Sequence, residues 1–252
     1  MFFDSHAHYD DERFNKDRHE LLTSMSKNDV GYIVNAAADI ASSYEGIELT
    51  EKYSSIYAAV GVHPHNVDGL EKDAVEILES LSQHPKVVAI GEIGLDYYYD
   101  HSPRDIQKIW FKRQMDLAKK VKLPIIVHSR EAAEETFDMI KQSGLEHGVI
   151  HCYSGSAEMA KEYIKLGFYI GVGGTVTFNN ARRPVEVVEQ IPLESIVIET
   201  DCPYLTPVPH RGKRNDSTYL KYIAQKIADI KEIPIEKVAH VTTKNAKALY
   251  GL

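Results

Sequence analysis

Residues 86–96 read KVVAIGEIGLD. After Lys86 the run is apolar or glycine without alternation until Glu92. A strand with one wet face alternates apolar and polar residues, whereas near-continuous apolarity marks a strand buried on both faces, and parallel sheets are the usual home of such strands. A carboxylate closing a buried run calls for a chemical reason, and the rest of the chain repeats the pattern.

Seven further runs share the character: MFFDSHAH (1–8), YIVNAAA (32–38), IYAAVGVHPH (56–65), LPIIVHSR (123–130), GVIHCYS (148–154), FYIGVGG (168–174) and SIVIETDCP (195–203). Most are separated by stretches of helical spacing, such as 73–82 with Val75, Leu78 and Leu81, or 106–120 with Ile109, Trp110, Met115 and Leu117. Eight βα units in 252 residues predict an α/β fold, a TIM (β/α)8 barrel in regular or slightly distorted form, with a doubly wound open sheet as the competitor. No repeat, low-complexity segment or linker divides the chain, so residues 1–252 are expected to form a single domain.

Composition narrows the class of function. With 43% apolar and 26% charged residues the chain can bury a large core. Asp4 and His6 interrupt the apolar start that a signal peptide needs, and no segment approaches the roughly 20 apolar residues that span a bilayer. Two cysteines, Cys152 and Cys202, give no disulfide framework, so a reducing, cytoplasmic location is expected, with no membrane and no obligate protein partner. A net charge of -8 argues against bulk electrostatic coating of nucleic acid but not against a nucleic-acid enzyme, because a carboxylate site turns positive once cations fill it.

The runs end in ionisable or polar residues: His6 and His8, Asn35, His63 and His65, Glu92, His128, His151 and Asp201. In a barrel the C-terminal ends of all strands meet at one face, where active sites sit. The pair His6-x-His8, seen alone, reads as solvated histidines on a frayed terminus. In company with His128, His151, Glu92 and Asp201 it reads otherwise. Four imidazoles and two carboxylates sharing an interior carry a large desolvation cost, which divalent metal relieves. Six such ligands are too many for one open site, so the arithmetic favours two metals sharing a bridge.

At this point the chain resembles the TatD-like metal-dependent deoxyribonucleases, a TIM-barrel branch of the amidohydrolase superfamily. The resemblance covers essentially the whole chain. It rests on DSHAH (4–8), GVHPH (61–65), GEIGLDYY (91–98), HSR (128–130), HCYSG (151–155), ETDCP (199–203) and RGKRN (211–215), in order. It implies that His6, His8 and Asp201 bind one divalent ion (Mg, Mn or Zn), that His128 and His151 bind a second, and that Glu92 bridges them. Related amidohydrolases often bridge with a carbamylated lysine, but the one lysine of this run, Lys86, lies at its opposite end. Glu92 and Asp201 are the expected catalytic groups, with Asp201 orienting a water and taking its proton. The implied reaction is hydrolysis of DNA phosphodiesters, proceeding 3′ to 5′ on single strands.

Outside the ligand set, the resemblance points to His63 as a contact to the scissile phosphate, and His65 reads either as a second contact or as a turn residue. Of the cations Arg211, Lys213 and Arg214, Arg211 is the candidate phosphate contact, since a guanidinium grips two oxygens. Glu199 shares the side of Asp201 on an alternating strand and is a candidate partner to a ligating histidine. Tyr97, Tyr98 and Tyr99 offer base stacking, with Tyr97 the candidate. By alternation Cys152 and Cys202 point away from the ligands and are expected to be small buried groups. His19, His84, His101, His147 and His240 are expected at the surface. The family usually has proline where this chain has Ser217 after Asp216, a change expected to loosen that loop. Two rival readings remain open: the same metals acting on a small ester, amide or phosphoester, and a non-catalytic binding partner with structural metals.

Overall fold

The structure, a computed structural model, describes residues 1–71 and 73–252. Eight parallel strands, β1 (Phe2–Ala7), β2 (Val30–Ala36), β3 (Ile56–Val60), β4 (Val87–Asp96), β5 (Ile125–Arg130), β6 (Gly148–Ile150), β7 (Phe168–Val172) and β8 (Ile196–Ile198), pair in sequence order. Helices α1 (Arg18–Ser24), α2 (Ile40–Lys52), α3 (Ala74–Leu81), α4 (Arg104–Val121), α5 (Ala133–Ser143), α6 (Ala157–Lys165), α7 (Arg182–Gln190) and α8 (Leu220–Lys231) alternate with them, and α9 (Ile235–Tyr250) is extra. This is the TIM barrel read from the apolar runs.

The core divides as the pleat of a barrel requires. Phe3, Val34, Ala59, Val88, Ala89, Ile126, Val149 and Val197, one or two from each strand but β7, cluster with Ala246, Leu249 and Tyr250 of α9, which cap the end where the strands begin. Their neighbours Phe2, Ile33, Val87, Ile125, Ile150, Ile170 and Ile196 pack outward with the helices. The polar residues predicted to converge lie beyond the inner cluster, at the other end.

The sheet closes irregularly between β8 and β1, through a single bridge, Ala7 with Cys202. Side chains reinforce this seam. Ser5 Oγ donates to Ile198 O (3.1 Å), and Asp4 accepts from Thr200 N (2.9 Å) and Thr200 Oγ1 (2.6 Å). Register also slips between Asp4 and Ala7 and between Ile90 and Ile93, beside His6 and Glu92. A one-residue slip reverses the face a side chain takes, so strict alternation from the apolar residues does not place these two.

Helix α4 fastens the strand ends with two buried amides seven residues apart. Gln114 bonds Val62 N (2.7 Å) and Val62 O (3.0 Å), just before His63, and Gln107 bonds Asp96 N (2.8 Å) and Asp96 O (3.1 Å). Among the described residues no helix is long and apolar enough to cross a membrane.

Candidate metal centre

Glu92, buried in β4, turns its two oxygens to two sets of imidazoles. Oε2 lies 3.4 Å from His6 Nε2 and 3.8 Å from His8 Nε2. Oε1 lies 2.8 Å from His128 Nδ1, 2.9 Å from His151 Nε2 and 3.5 Å from His63 Nε2. Asp201 Oδ1 joins the first set, 3.6 Å from His6 Nε2 and 3.3 Å from His8 Nε2. The rings of His6 and His151 stack at 4.0 Å, so the two sets share a wall. Residues up to 195 positions apart thus meet at one face.

The partners of each ring decide which nitrogen is free. His8 Nδ1 lies 2.8 Å from Ala36 O and must donate to it, which leaves Nε2 as the atom free to ligate. His128 Nε2 lies 3.0 Å from the Asp96 carboxylate, which leaves Nδ1. His63 differs: its Nδ1 accepts the His65 N–H (3.1 Å), so the neutral ring carries its proton on Nε2, facing the pocket. Burial, with His128 nearby, lowers the His63 pKa to about 4 and keeps the ring neutral. Although His63, Glu92 and His128 group closely enough to hold an ion, this tautomer makes His63 a donor into the site.

The donor set fits a divalent cation. Ligand atoms of His6, His8 and Glu92, of His63, Glu92 and His128, and of His6, His151 and Glu199 each fall within 4.8 Å of one another. No thiolate belongs to these groups, and imidazole with carboxylate suits zinc or manganese. His6 and His151 turn Nε2 toward Glu92, and their Nδ1 atoms, with Glu199 Oε2, are buried without a hydrogen-bond partner on the far side of the rings.

Burial opposes a proton on His8, but the hydrogen bond and charge of Asp201, with Glu92, outweigh it and push its pKa up to about 9. Against the same burial, Asp96 and Glu92 raise His128, and Glu92 and Glu199 raise His151 well above the ordinary range. Burial also opposes charge on Glu92 and Asp201, yet the facing imidazoles hold both below the usual carboxylate range, Glu92 well below it. Without metal, then, His8 and His151 hold protons at neutral pH that a ligating ring must lose, and His128 is shifted in the same direction. Metal affinity is therefore expected to rise with pH towards about 9 and to fall in acid. Calorimetric titration in buffers of different ionisation enthalpy should register protons released on binding; uptake or no exchange contradicts this assignment.

Asp96 has no role in the sequence reading, yet its buried Oδ2 accepts from both His128 Nε2 (3.0 Å) and His65 Nε2 (2.9 Å). The signal was its place two alternations past Glu92. It fixes the His128 tautomer, and it ties His65 to the site through a carboxylate rather than through backbone alone. Asp96→Asn is expected to weaken metal binding by roughly 10–100-fold; unaltered affinity in a chelator competition would remove that role.

Glu199 is fully buried, with Oε1 3.4 Å from His151 Nδ1 and accepting the Cys152 N–H. Asp201 and Cys152 have φ of 54° and 44°, so the chain leaves extended geometry and alternation does not apply at either. Cys202 is buried as expected, but Cys152 is partly exposed. Asn35 holds Tyr9 N (2.6 Å) and Asp10 (2.8 Å), bracing the backbone after His8. His19, His101, His147 and His240 lie at the surface, and His84 is half-buried.

Arg211 is exposed, its guanidinium 3.9 Å above the Phe178 ring and one N–H on Thr206 O (2.8 Å). Arg214 is committed to Asp17 (2.6 Å). Tyr97 is half-buried: its hydroxyl is taken by Glu135, Arg104 covers its ring at 4.4 Å, and it packs on the core, whereas Tyr98 and Tyr99 are exposed.

Ser217 corrects the sequence reading. Far from loosening its loop, Ser217 is fully buried, with N–H donating to Tyr9 Oη (2.9 Å) and Oγ donating to Asp4 (2.6 Å). Ser217→Pro removes both donors and leaves a buried carboxylate short of one, at a cost of about 2–4 kcal/mol. Its melting temperature should drop by roughly 5–15 °C; wild-type melting would show that the anchor does not hold the loop.

Known proteins resemble this chain along nearly its whole length. The family model described as TatD related DNase matches residues 3–251. The metal-dependent hydrolase YabD of Bacillus subtilis (strain 168), itself uncharacterized, is 46% identical over 254 residues, with both chains covered completely. YcfH of Escherichia coli (strain K12), also an uncharacterized metal-dependent hydrolase, is 34% identical, covering 99% of this chain and 95% of its own. The crystal structure of the TatD homologue YjjV from Escherichia coli K12 superposes with a TM-score of 0.94 at 31% identity, covering 100% of this chain and 98% of that one. With its barrel and its histidine–carboxylate cluster, this chain belongs to the TatD family and is a metal-dependent hydrolase.

Proposed function

We propose that this hydrolase cleaves phosphodiester bonds of DNA, removing nucleotides from the 3′ end of single strands, with two divalent cations at the C-terminal mouth of the barrel. The observation that carries the reading is the division of Glu92, one oxygen toward His6 and His8 and the other toward His128 and His151. His6, His8 and Asp201 would hold one cation and His128 and His151 the other, with Glu92 shared. The family description, TatD related DNase, supports DNA as the substrate.

Cations bound there supply Lewis acidity to the phosphoryl group and acidify a water. The protein does the rest. Asp201, ionised and beside His8, would orient that water, take its proton on a carboxylate oxygen as the water oxygen bonds to phosphorus, and give that proton to the leaving 3′ oxygen as the scissile P–O bond breaks. His63 donates from Nε2–H to a phosphoryl oxygen as charge builds on it. His65 and Arg211, both at the mouth, are the further proposed contacts to the strand, and Glu199 orients His151. Residues 1–252 act as one unit, since β1 and the residues after β8 supply ligands to the same set.

The test is metal-stripped protein assayed on 3′-labelled and 5′-labelled single-stranded DNA, with magnesium, manganese or zinc returned in turn and bound metal counted. Stepwise shortening from the 3′ end with two equivalents bound is expected. Turnover without metal, or turnover of small esters and amides but not DNA with every metal, would overturn the reading.

A further inference from the structure

The rim of the mouth beside β4 and β5 displays aromatic rings that the core does not use. Tyr98 and Tyr99 follow β4 and are 56% and 51% exposed. Tyr99 lies parallel to His101, at an interplanar angle of 4° and 5.5 Å between centroids. Arg130, two residues past His128, lays its guanidinium 4.0 Å from the Tyr98 ring and 4.7 Å from the Tyr99 ring. Among the described residues no carboxylate lies within ion-pair distance of it. The rim adjoins the proposed metal centre through His65, whose ring is 5.4 Å from Tyr99 and 6.2 Å from His128.

Resting on the nuclease reading above, we propose that Tyr99 and Arg130 form a nucleotide subsite for single-stranded DNA: a base stacks on the exposed Tyr99–His101 surface, and Arg130 grips the adjoining phosphate. A guanidinium stacked on two rings has its long stem already ordered, while its N–H edge stays open to two phosphate oxygens. In a protein of net charge -8 an exposed arginine without an acidic partner is where an anion gains most. Every base has a π-face, so stacking holds a strand without reading its sequence. A duplex keeps those faces covered, so the subsite selects single strands.

The test is fluorescence anisotropy of metal-loaded protein with a short thymidine strand and an abasic strand of equal length, both carrying cleavage-resistant phosphorothioate linkages. Tyr99→Ala should weaken the thymidine strand roughly tenfold and the abasic strand by much less, through the lost support of Arg130 alone, while Tyr99→Trp should restore binding. Arg130→Ala should weaken both strands and flatten the slope of log Kd against log salt by ~0.7. No binding of the thymidine strand by the wild type, equal losses on both strands for Tyr99→Ala, or unchanged affinity for either alanine variant overturns the subsite. Wild-type turnover of a small phosphodiester reports separately on hydrolysis. Tyr99-dependent binding without any turnover removes the nuclease reading and leaves the subsite standing.

Discussion

Glu92→Gln is expected to give a folded barrel that is nearly inert. The amide keeps the shape of the carboxylate but not its charge, and it offers one acceptor oxygen where two are used, one toward each imidazole set. On the two-cation reading proposed above the bridge would be lost, and His128 and His151 lose the charge that faces them. Transition-state stabilisation by metal is worth several kcal/mol, so kcat/KM should fall by roughly 10³-fold or more. Bound metal should fall with it, and the melting temperature of metal-free protein should fall too, because the buried rings that Glu92 faces lose their counter-charge. His128→Ala should show the same pattern. Wild-type turnover by Glu92→Gln in metal-replete buffer would sink the assignment, and lost turnover with metal still fully bound would move Glu92 from metal bridge to some other role.

The barrel was legible because a strand covered on both faces has to be apolar throughout, so VVAI, PIIV and IVI mark strands without any alternation to interpret. The cluster was legible for the converse reason, since an ionisable residue closing such a run enters the interior only with compensation. Contacts that act between distant segments left no such trace. Ser217 meets Asp4 across 213 positions and Gln114 meets Val62 across 52, and a buried amide or hydroxyl has the same appearance in sequence as an exposed one. Periodicity misled where the backbone abandons it: the positive φ at Cys152 and Asp201 and the register slips near His6 and Glu92 make parity an unsafe guide beside the site. In YYY the pattern gives three equal rings, and only the positions of Glu135 and Arg104 show that Tyr97 is the one turned to packing.

The second large effect is expected at a residue with no side chain. Glu92 and Asp96 hold the two nitrogens of the His128 ring, Oε1 on Nδ1 at 2.8 Å and Oδ2 on Nε2 at 3.0 Å, so one strand clamps a ring of the next from both sides. Gly94 lies midway between them, opposite His128 in the ladder, with φ of 146°. A Cβ there would sit 1.9 Å from the His128 carbonyl oxygen and 2.9 Å from its carbon, both backbone atoms that no rotamer change can move. Gly94→Ala must therefore part β4 from β5 or abandon its own conformation, and either move takes Glu92 and Asp96 away from the ring. The loss should exceed about 4 kcal/mol, in the range reserved for such backbone conflicts, which is a melting temperature lower by at least roughly 10 °C or no folded protein. Gly144→Ala separates the two causes. Its φ of 70° carries the conformational cost of a left-handed alanine, but nothing lies within 4 Å of its Cβ, so it should lose only about 1 kcal/mol. Equal melting of the two variants, with metal bound by both, would show that the close approach of β4 to β5 does not set the geometry of the site.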